Sequence, residues 1–423
     1  MTANDRVERA MSSWLREDAT FRVSDHLDEV LRVTSATRQR PAWSSLERWL
    51  PVDTTFRPRF FNIPQPGRVV LVAALVIALL GLLVLAIGSR QPRLPEPFGL
   101  ARNGILVTSR DGDLYTIDPR TLQDAPLAVG DGFDFSPIFS RDGTKIVFLR
   151  SDGPVTEPAI LTMMVVNADG SGLHSVTPAT ESLDWFDWSP NGTQIAYMAK
   201  GQLWVADVAG GSPRMLPGTK PAHFPTWLPP DGREIVFRLE TTHPTIMAIR
   251  PDGTGLHALS TRRANNQFDY QGPTISPDGT LISFTRYSQS GEPSGLLLDL
   301  RTGEERRLPV PDGTRAENGG LFAPDGKSIA FVRYYVDATW QVIVAPVDGS
   351  GNGTPIGPRS PGTPQSGNAG VSSTAFTPDG TALLVRYGDD TSATTQLLPS
   401  DGSGGRIIDT GEFEFVDMQR LAP

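Results

Sequence analysis

The 423-residue sequence predicts an all-β fold, a seven-bladed β-propeller of four-stranded antiparallel blades, with a six-bladed ring as the alternative. Three observations predict it. A short turn phrase ending in Asp-Gly or Asn-Gly occurs six times, with its glycine at Gly143, Gly192, Gly232, Gly279, Gly326 and Gly380, at intervals of 40 to 54 residues. Apolar residues follow each glycine at the third and fifth positions, from Ile146 and Phe148 to Leu383 and Val385. Finally, three strand-like segments precede the first phrase, and one more follows the last blade with nothing after it.

The first two observations define a strand pair. Asp-Gly and Asn-Gly allow the positive φ of a tight hairpin, and apolar residues two apart share one face of a strand. Self-similarity at this period marks a propeller or array. The contexts read Ser140-Arg-Asp-Gly, Ser189-Pro-Asn-Gly, Pro229-Pro-Asp-Gly, Ser276-Pro-Asp-Gly, Ala323-Pro-Asp-Gly and Thr377-Pro-Asp-Gly. The third observation predicts closure. Ile105–Thr108, Leu114–Asp118 and Pro126–Val129 lack an inner strand, and Glu412–Gln419 supplies one, so the two ends of the domain share the seventh blade.

This Ser-Pro-Asp-Gly-Thr-x-Ile-x-Phe phrase resembles the WD-like repeat of TolB-type β-propellers over roughly three quarters of the chain. The resemblance implies a bacterial propeller, and repeats of this type often close with six blades. It specifies no activity, because propellers host binders, scaffolds and enzymes alike.

Four regions follow. Residues 1–68 predict a short helical segment, with Val23, Leu27, Val30 and Leu31 at helical spacing and a second apolar set at Trp43, Leu46, Trp49 and Leu50. Residues 69–88 contain no charged side chain, and fourteen of the twenty are Leu, Ile or Val. That composition favours membrane insertion by roughly 4 to 8 kcal/mol and predicts one transmembrane helix. Residues 89–102 form a Pro- and Arg-rich linker, and residues 103–423 the propeller. Arginines crowd the N-terminal flank of the span, from Arg38 to Arg68, which predicts a cytoplasmic N-terminus and an extracytoplasmic propeller at the plasma membrane.

Charge and composition exclude several classes. Residues 1–68 carry +2, leaving −11 on the remainder of a chain whose net charge is −9. Such an acidic domain argues against nucleic-acid binding, which needs clustered cations. The absence of cysteine excludes thiol catalysis and zinc thiolate sites. No Gly-x-Ser-x-Gly elbow is present. His174 and His257 recur at matching repeat positions, which reads as structural, and each Asp-Gly turn offers one carboxylate, too few for a calcium loop. The sequence therefore predicts no catalytic residue, no metal site and no cofactor.

The hairpin turns pave one face of the disc. The opposite face carries longer connections, Ser151–Ile160, Ser260–Gly272, Pro309–Gly319 and Gly357–Ser372, and is the expected recognition surface. Arg150, Arg238, Arg286, Arg333 and Arg386 end the second strand of their blades beside that face, accompanied by Tyr287, Tyr334, Tyr335 and Tyr387. Either each arginine pairs with an inner-strand acid, such as Asp134, Asp184 or Asp269, and locks neighbouring blades, or Arg150, Arg286, Arg333 and Arg386 with Tyr287, Tyr334 and Tyr387 hold an anionic, carbohydrate-like or peptide ligand. The expected function is a non-enzymatic module that binds a protein or cell-envelope ligand. The alternatives are a transmembrane regulator whose residues 1–50 bind a cytoplasmic partner, resembling the arrangement of anti-sigma factors, and a propeller enzyme of lyase or lactonase type.

Overall fold

In the computed structural model the described residues are 94–128, 132–154, 159–240, 245–259, 271–288, 290–361, 371–389, 392–409 and 416–423, together with helical Ala74, Val76 and Ile77. Among them no helix is long and apolar enough to cross a membrane. The expected helical segment 1–68, and the span 69–88 apart from those three residues, lie outside the described residues. The chain divides into two units, Met1–Arg90 and Gln91–Pro423, and among the described residues the strands all lie in the second.

Seven sheets of four or five strands make seven blades, so the six-bladed alternative falls. In the closing blade, Val416–Leu421 is the inner strand beside Arg102–Arg110, Asp113–Ile117 and Asp124–Ala128. Val107 faces Asp417 and Leu106 faces Met418 across the junction of the two chain ends. The next blade runs outward through Phe133–Phe139, Lys145–Ser151, Ile160–Asn167 and His174–Ser175, and the other five follow the same order. The connections at Pro309–Gly319 and Gly357–Ser372 are shorter than the sequence suggested, because Thr314–Glu317 pairs as part of an inner strand and the outer strand Thr354–Pro361 extends into the second.

The turn phrase works as its residues dictate. The six glycines have φ between 65° and 71°, a region that costs glycine nothing. At the first turn, Gly143 N donates to Ser140 O at 2.8 Å, while Asp142 Oδ1 accepts from Thr144 N at 3.0 Å and Thr144 Oγ1 at 2.8 Å. The apolar pairs that follow each glycine are at most 3% exposed in all six repeats. They fill the spaces between adjacent blades, each side chain contributing about 1.5 to 3 kcal/mol.

Neighbouring inner strands are stitched through side chains that the repeat does not spell. Asp417 accepts from Phe139 N at 2.8 Å, and Trp188 Nε1 donates to Ile138 O at 3.2 Å. Asp187 accepts from Trp227 N at 3.0 Å, and Trp227 Nε1 donates to Asp187 O at 3.1 Å. Bonds of this kind join blade to blade around the channel, as do Gly319 N to Thr285 Oγ1 at 2.8 Å and Gly320 N to Ser283 Oγ at 2.7 Å.

Candidate functional site

The arginines sit in second strands, near the strand end at Arg150, Arg238 and Arg286 and mid-strand at Arg386, and the carboxylates seen on Arg150, Arg238, Arg286 and Arg333 lie within the same blade. Arg150 grips Asp134 through two bonds of 2.6 and 2.7 Å, directly opposite it in the ladder. Arg333 binds Glu317 at 2.5 Å and donates to Asn352 O and Pro309 O at 3.0 and 3.1 Å. Arg286 reaches Glu305 at 2.9 Å, and Arg238 pairs with Glu240 just beyond its own strand. Arg386 is buried, facing Ser373 and Thr395 in the ladder. The pairs of Arg150, Arg286 and Arg333 named here brace a blade from within, and the inner-strand bonds described above join neighbouring blades.

The tyrosines pack between blades. Tyr387 stacks on Trp340 with centroids 5.6 Å apart, and burial pushes its hydroxyl up to about 12. Asn318 Nδ2 donates to the Tyr334 hydroxyl at 3.3 Å, and burial raises the pKa of both Tyr287 and Tyr334. None of Arg150, Arg286, Arg333, Arg386, Tyr287, Tyr334 or Tyr387 lines the cavities described below.

A different cluster is built at the irregular end of the inner strands. In successive blades the ladder between first and second strands carries a bulge, and the extra residue adopts left-handed backbone: Ser136 at φ 53°, Trp185 at 35°, Phe224 at 55° and Gly272 at 25°. A bulge bends its strand and re-aims a side chain. Glycine takes this conformation freely, but a bulky residue there costs on the order of 1 to 3 kcal/mol. Two consecutive blades nevertheless place large aromatics at it.

Their side chains meet. Trp185 and Phe224 lie 4.3 Å apart, tilted by 59°, and Trp185 remains 54% exposed. The Arg238 guanidinium lies 5.5 Å from the Phe224 ring centroid, and His223 stands 3.4 Å from Glu240. Burial, reinforced by Arg238, lowers the His223 pKa and favours the neutral imidazole. Beside this rim, a cleft of about 510 Å³ opens between two blades, walled by Phe135, Ile138, Leu149, Leu161 and Leu183 and edged by Ser182 and Asp184. Exposed Ile160 stands at the head of the adjoining strand. An apolar cleft with a few convergent polar groups is suited to an apolar anchor with a polar flank.

A larger groove of about 1090 Å³ lies among the hairpin turns of two later blades. Its charges are of both signs, with Arg301 paired to Asp299 at 3.2 Å, which leaves no single ligand chemistry. Among the described residues no group of three or more His, Asp or Glu side chains could hold a metal ion. The aromatic pair escaped the sequence reading because nothing local marks Trp185 or Phe224 as bulged.

No protein-family model matches the chain, and no curated relative matches it. Several solved structures are similar in fold. TolB from Acinetobacter baumannii shares 17% identity over 76% of this chain and 81% of its own, with a TM-score of 0.48. A putative TolB from Agrobacterium tumefaciens shares 16% identity over 77% of this chain and all of its own length, with a TM-score of 0.43. An oligogalacturonate lyase in complex with manganese shares 16% identity over 54% of this chain and 70% of its own, with a TM-score of 0.44. At such identities the likeness concerns fold and not activity, so the propeller assignment rests on this chain's own order of strands.

Proposed function

We propose that the chain is a membrane-anchored, extracytoplasmic binding propeller that captures a protein or cell-envelope ligand at the irregular mouth of its channel. The single observation that carries this reading is the exposed Trp185, held against Phe224 in strained backbone above an apolar cleft. Strain of this kind persists where a side chain is needed in one place, and exposed tryptophans are favoured anchors in binding interfaces. A ligand's apolar group enters between Phe135 and Leu183, its outer face lies on Trp185, and polar atoms of the ligand meet His223 and Glu240 at the rim. The Arg and Tyr set stiffens the strands beneath. The span 69–88 supplies the anchor, as its composition predicts.

Full-length chain, immobilised in detergent, should retain a ligand from solubilised cell envelopes, and Trp185→Ala should weaken that retention by about tenfold or more. Arg286→Ala, away from the cleft, should retain it. Equal retention by the Trp185→Ala chain would overturn the assignment.

A further inference from the structure

The chain enters the propeller across the other mouth of the channel, at the hairpin face. Pro97, Phe98 and Gly99 line a cavity of about 320 Å³ together with Arg141, Trp227, Ile275, Phe322, Phe376 and Met418, which come from six different blades. Arg420 Nη2 donates to Glu96 O at 3.0 Å and to Gly99 O at 2.9 Å. The Arg141 guanidinium lies 5.2 Å from the Phe98 ring centroid, and Ala101 N donates to Pro378 O at 2.9 Å. Pro95 is buried while Glu96 and Leu100 are exposed.

Two features mark this as a built seat and not an accidental crossing. Arg141 occupies the one position of the turn phrase where the other five repeats have proline, at Pro190, Pro230, Pro277, Pro324 and Pro378. It is fixed there by Asp187 of the next blade at 2.8 Å. Arg420, lowered to about 10 by burial and by Arg141, still carries its charge near neutrality, and donates a third bond, from Nε, to Arg141 O at 3.2 Å. Two guanidinium groups thus present donors and a cationic face to a segment that bends at residues 97–99, with Gly99 at φ 90°.

We propose that the hairpin-face mouth is a peptide-binding site for a bent, proline-flanked aromatic segment, occupied in cis by Pro95–Gly99 and open to exchange with such a peptide in trans. Recognition is of backbone carbonyls and one aromatic ring, features that any peptide of this chemistry brings. Pro95 and Pro97 fix φ at two positions before the segment docks, which lowers the entropy lost on binding. The cis segment competes with an effective concentration on the order of millimolar, so exchange requires either a tight partner or a weakened strap. The site lies at the opposite face from the Trp185 cleft and stands or falls without it.

The probe is a fluorescein-labelled synthetic peptide of residues 94–101, added to the full-length chain. Phe98→Ala should let the peptide bind saturably, about tenfold or more tighter than to the unaltered chain. Adding Arg141→Ala should remove that gain. Equal or undetectable binding to the unaltered and Phe98→Ala chains would overturn the proposal. A second reading uses the absence of native cysteine. Ala101→Cys, buried beneath the strap, should react with maleimide roughly three- to tenfold faster when Phe98→Ala is also present. Identical rates would also overturn it.

Discussion

The two ends of the channel are built in opposite ways. At the hairpin end the same solution is repeated: glycine at the bend, an Asx oxygen accepting from the residues beyond it, and no large side chain in left-handed backbone at the six turns. At the irregular end each blade differs, and strain accumulates at Ser136, Trp185 and Phe224. Repetition marks where the backbone satisfies itself, and departure from it marks where a side chain has been put to use. Arg141 shows the rule from the other side, as the one non-proline in its position and the residue that meets Phe98.

The largest effect should come from opening the ring. Deleting residues 416–423 removes buried Val416 and Met418, the Asp417 bond to Phe139, and the partner of Arg102–Arg110. The two apolar side chains alone are worth about 3 to 6 kcal/mol, against the 5 to 15 kcal/mol that holds a typical domain folded. The truncated chain should aggregate or lose its cooperative melt. A melt near the parent's would mean that the closing blade is dispensable.

Next in size is the buried pair beneath the irregular face. Arg333 and Glu317 are almost wholly buried, at 5% and 2% side-chain exposure. Arg333→Ala leaves a carboxylate without its cation and should cost about 3 to 5 kcal/mol in urea denaturation. Arg286→Ala, whose guanidinium is 22% exposed beside a Glu305 that is 7% exposed, should cost less, about 1 to 3 kcal/mol. Equal losses would mean that burial does not set the strength of these pairs.

A smaller change sharpens the contrast between strain and use. Trp185→Gly relieves a left-handed tryptophan, as Gly272 does naturally in a later blade, and should leave stability unchanged or raise it by up to about 1 kcal/mol. Binding should fall in the same variant. A large loss of stability would make Trp185 a packing residue.

The smallest effect is titration of the turns. Burial alone would raise Asp142, Asp278 and Asp379, but hydrogen bonds from neighbouring Ser and Thr groups outweigh it and hold all three below the ordinary 3.8. Their stabilisation is present above 3.8 and is lost as pH falls through the lowered folded values. Asn191 makes the same turn bonds without a charge, so Asp278→Asn should flatten the acid limb of the stability profile. Asp417 acts in the opposite sense. Burial raises it, so its contribution declines as pH rises from 3.8 towards the raised folded value.

The repeat phrase revealed blade number, closure and faces because each rests on local chemistry: glycine turns, alternating apolar residues and an unpartnered last strand. The Glu412–Gln419 prediction met Val416–Leu421, and residues 412–415 lie outside the described residues. The arginines were placed in the right strands, but a sequence does not say which neighbouring carboxylate a guanidinium meets. The bulges were invisible for a stronger reason. Trp185 and Phe224 disfavour positive φ, so their conformation is imposed by the ladders on either side and not by their own preference. Arg141 was visible as a departure from proline, but its partner Phe98 sits in a linker that composition describes only as a spacer.

The central claim is that ligand is taken at the irregular face. Because the chain lacks cysteine, single cysteines at Ile160, beside the Trp185 cleft, and at Asp278, on a hairpin turn, can each carry a photo-crosslinker in native membranes. The account predicts discrete adducts from position 160 that disappear with Trp185→Ala, and none that respond to it from position 278. Adducts of equal yield from both positions, or adducts at position 160 that survive Trp185→Ala, would contradict it.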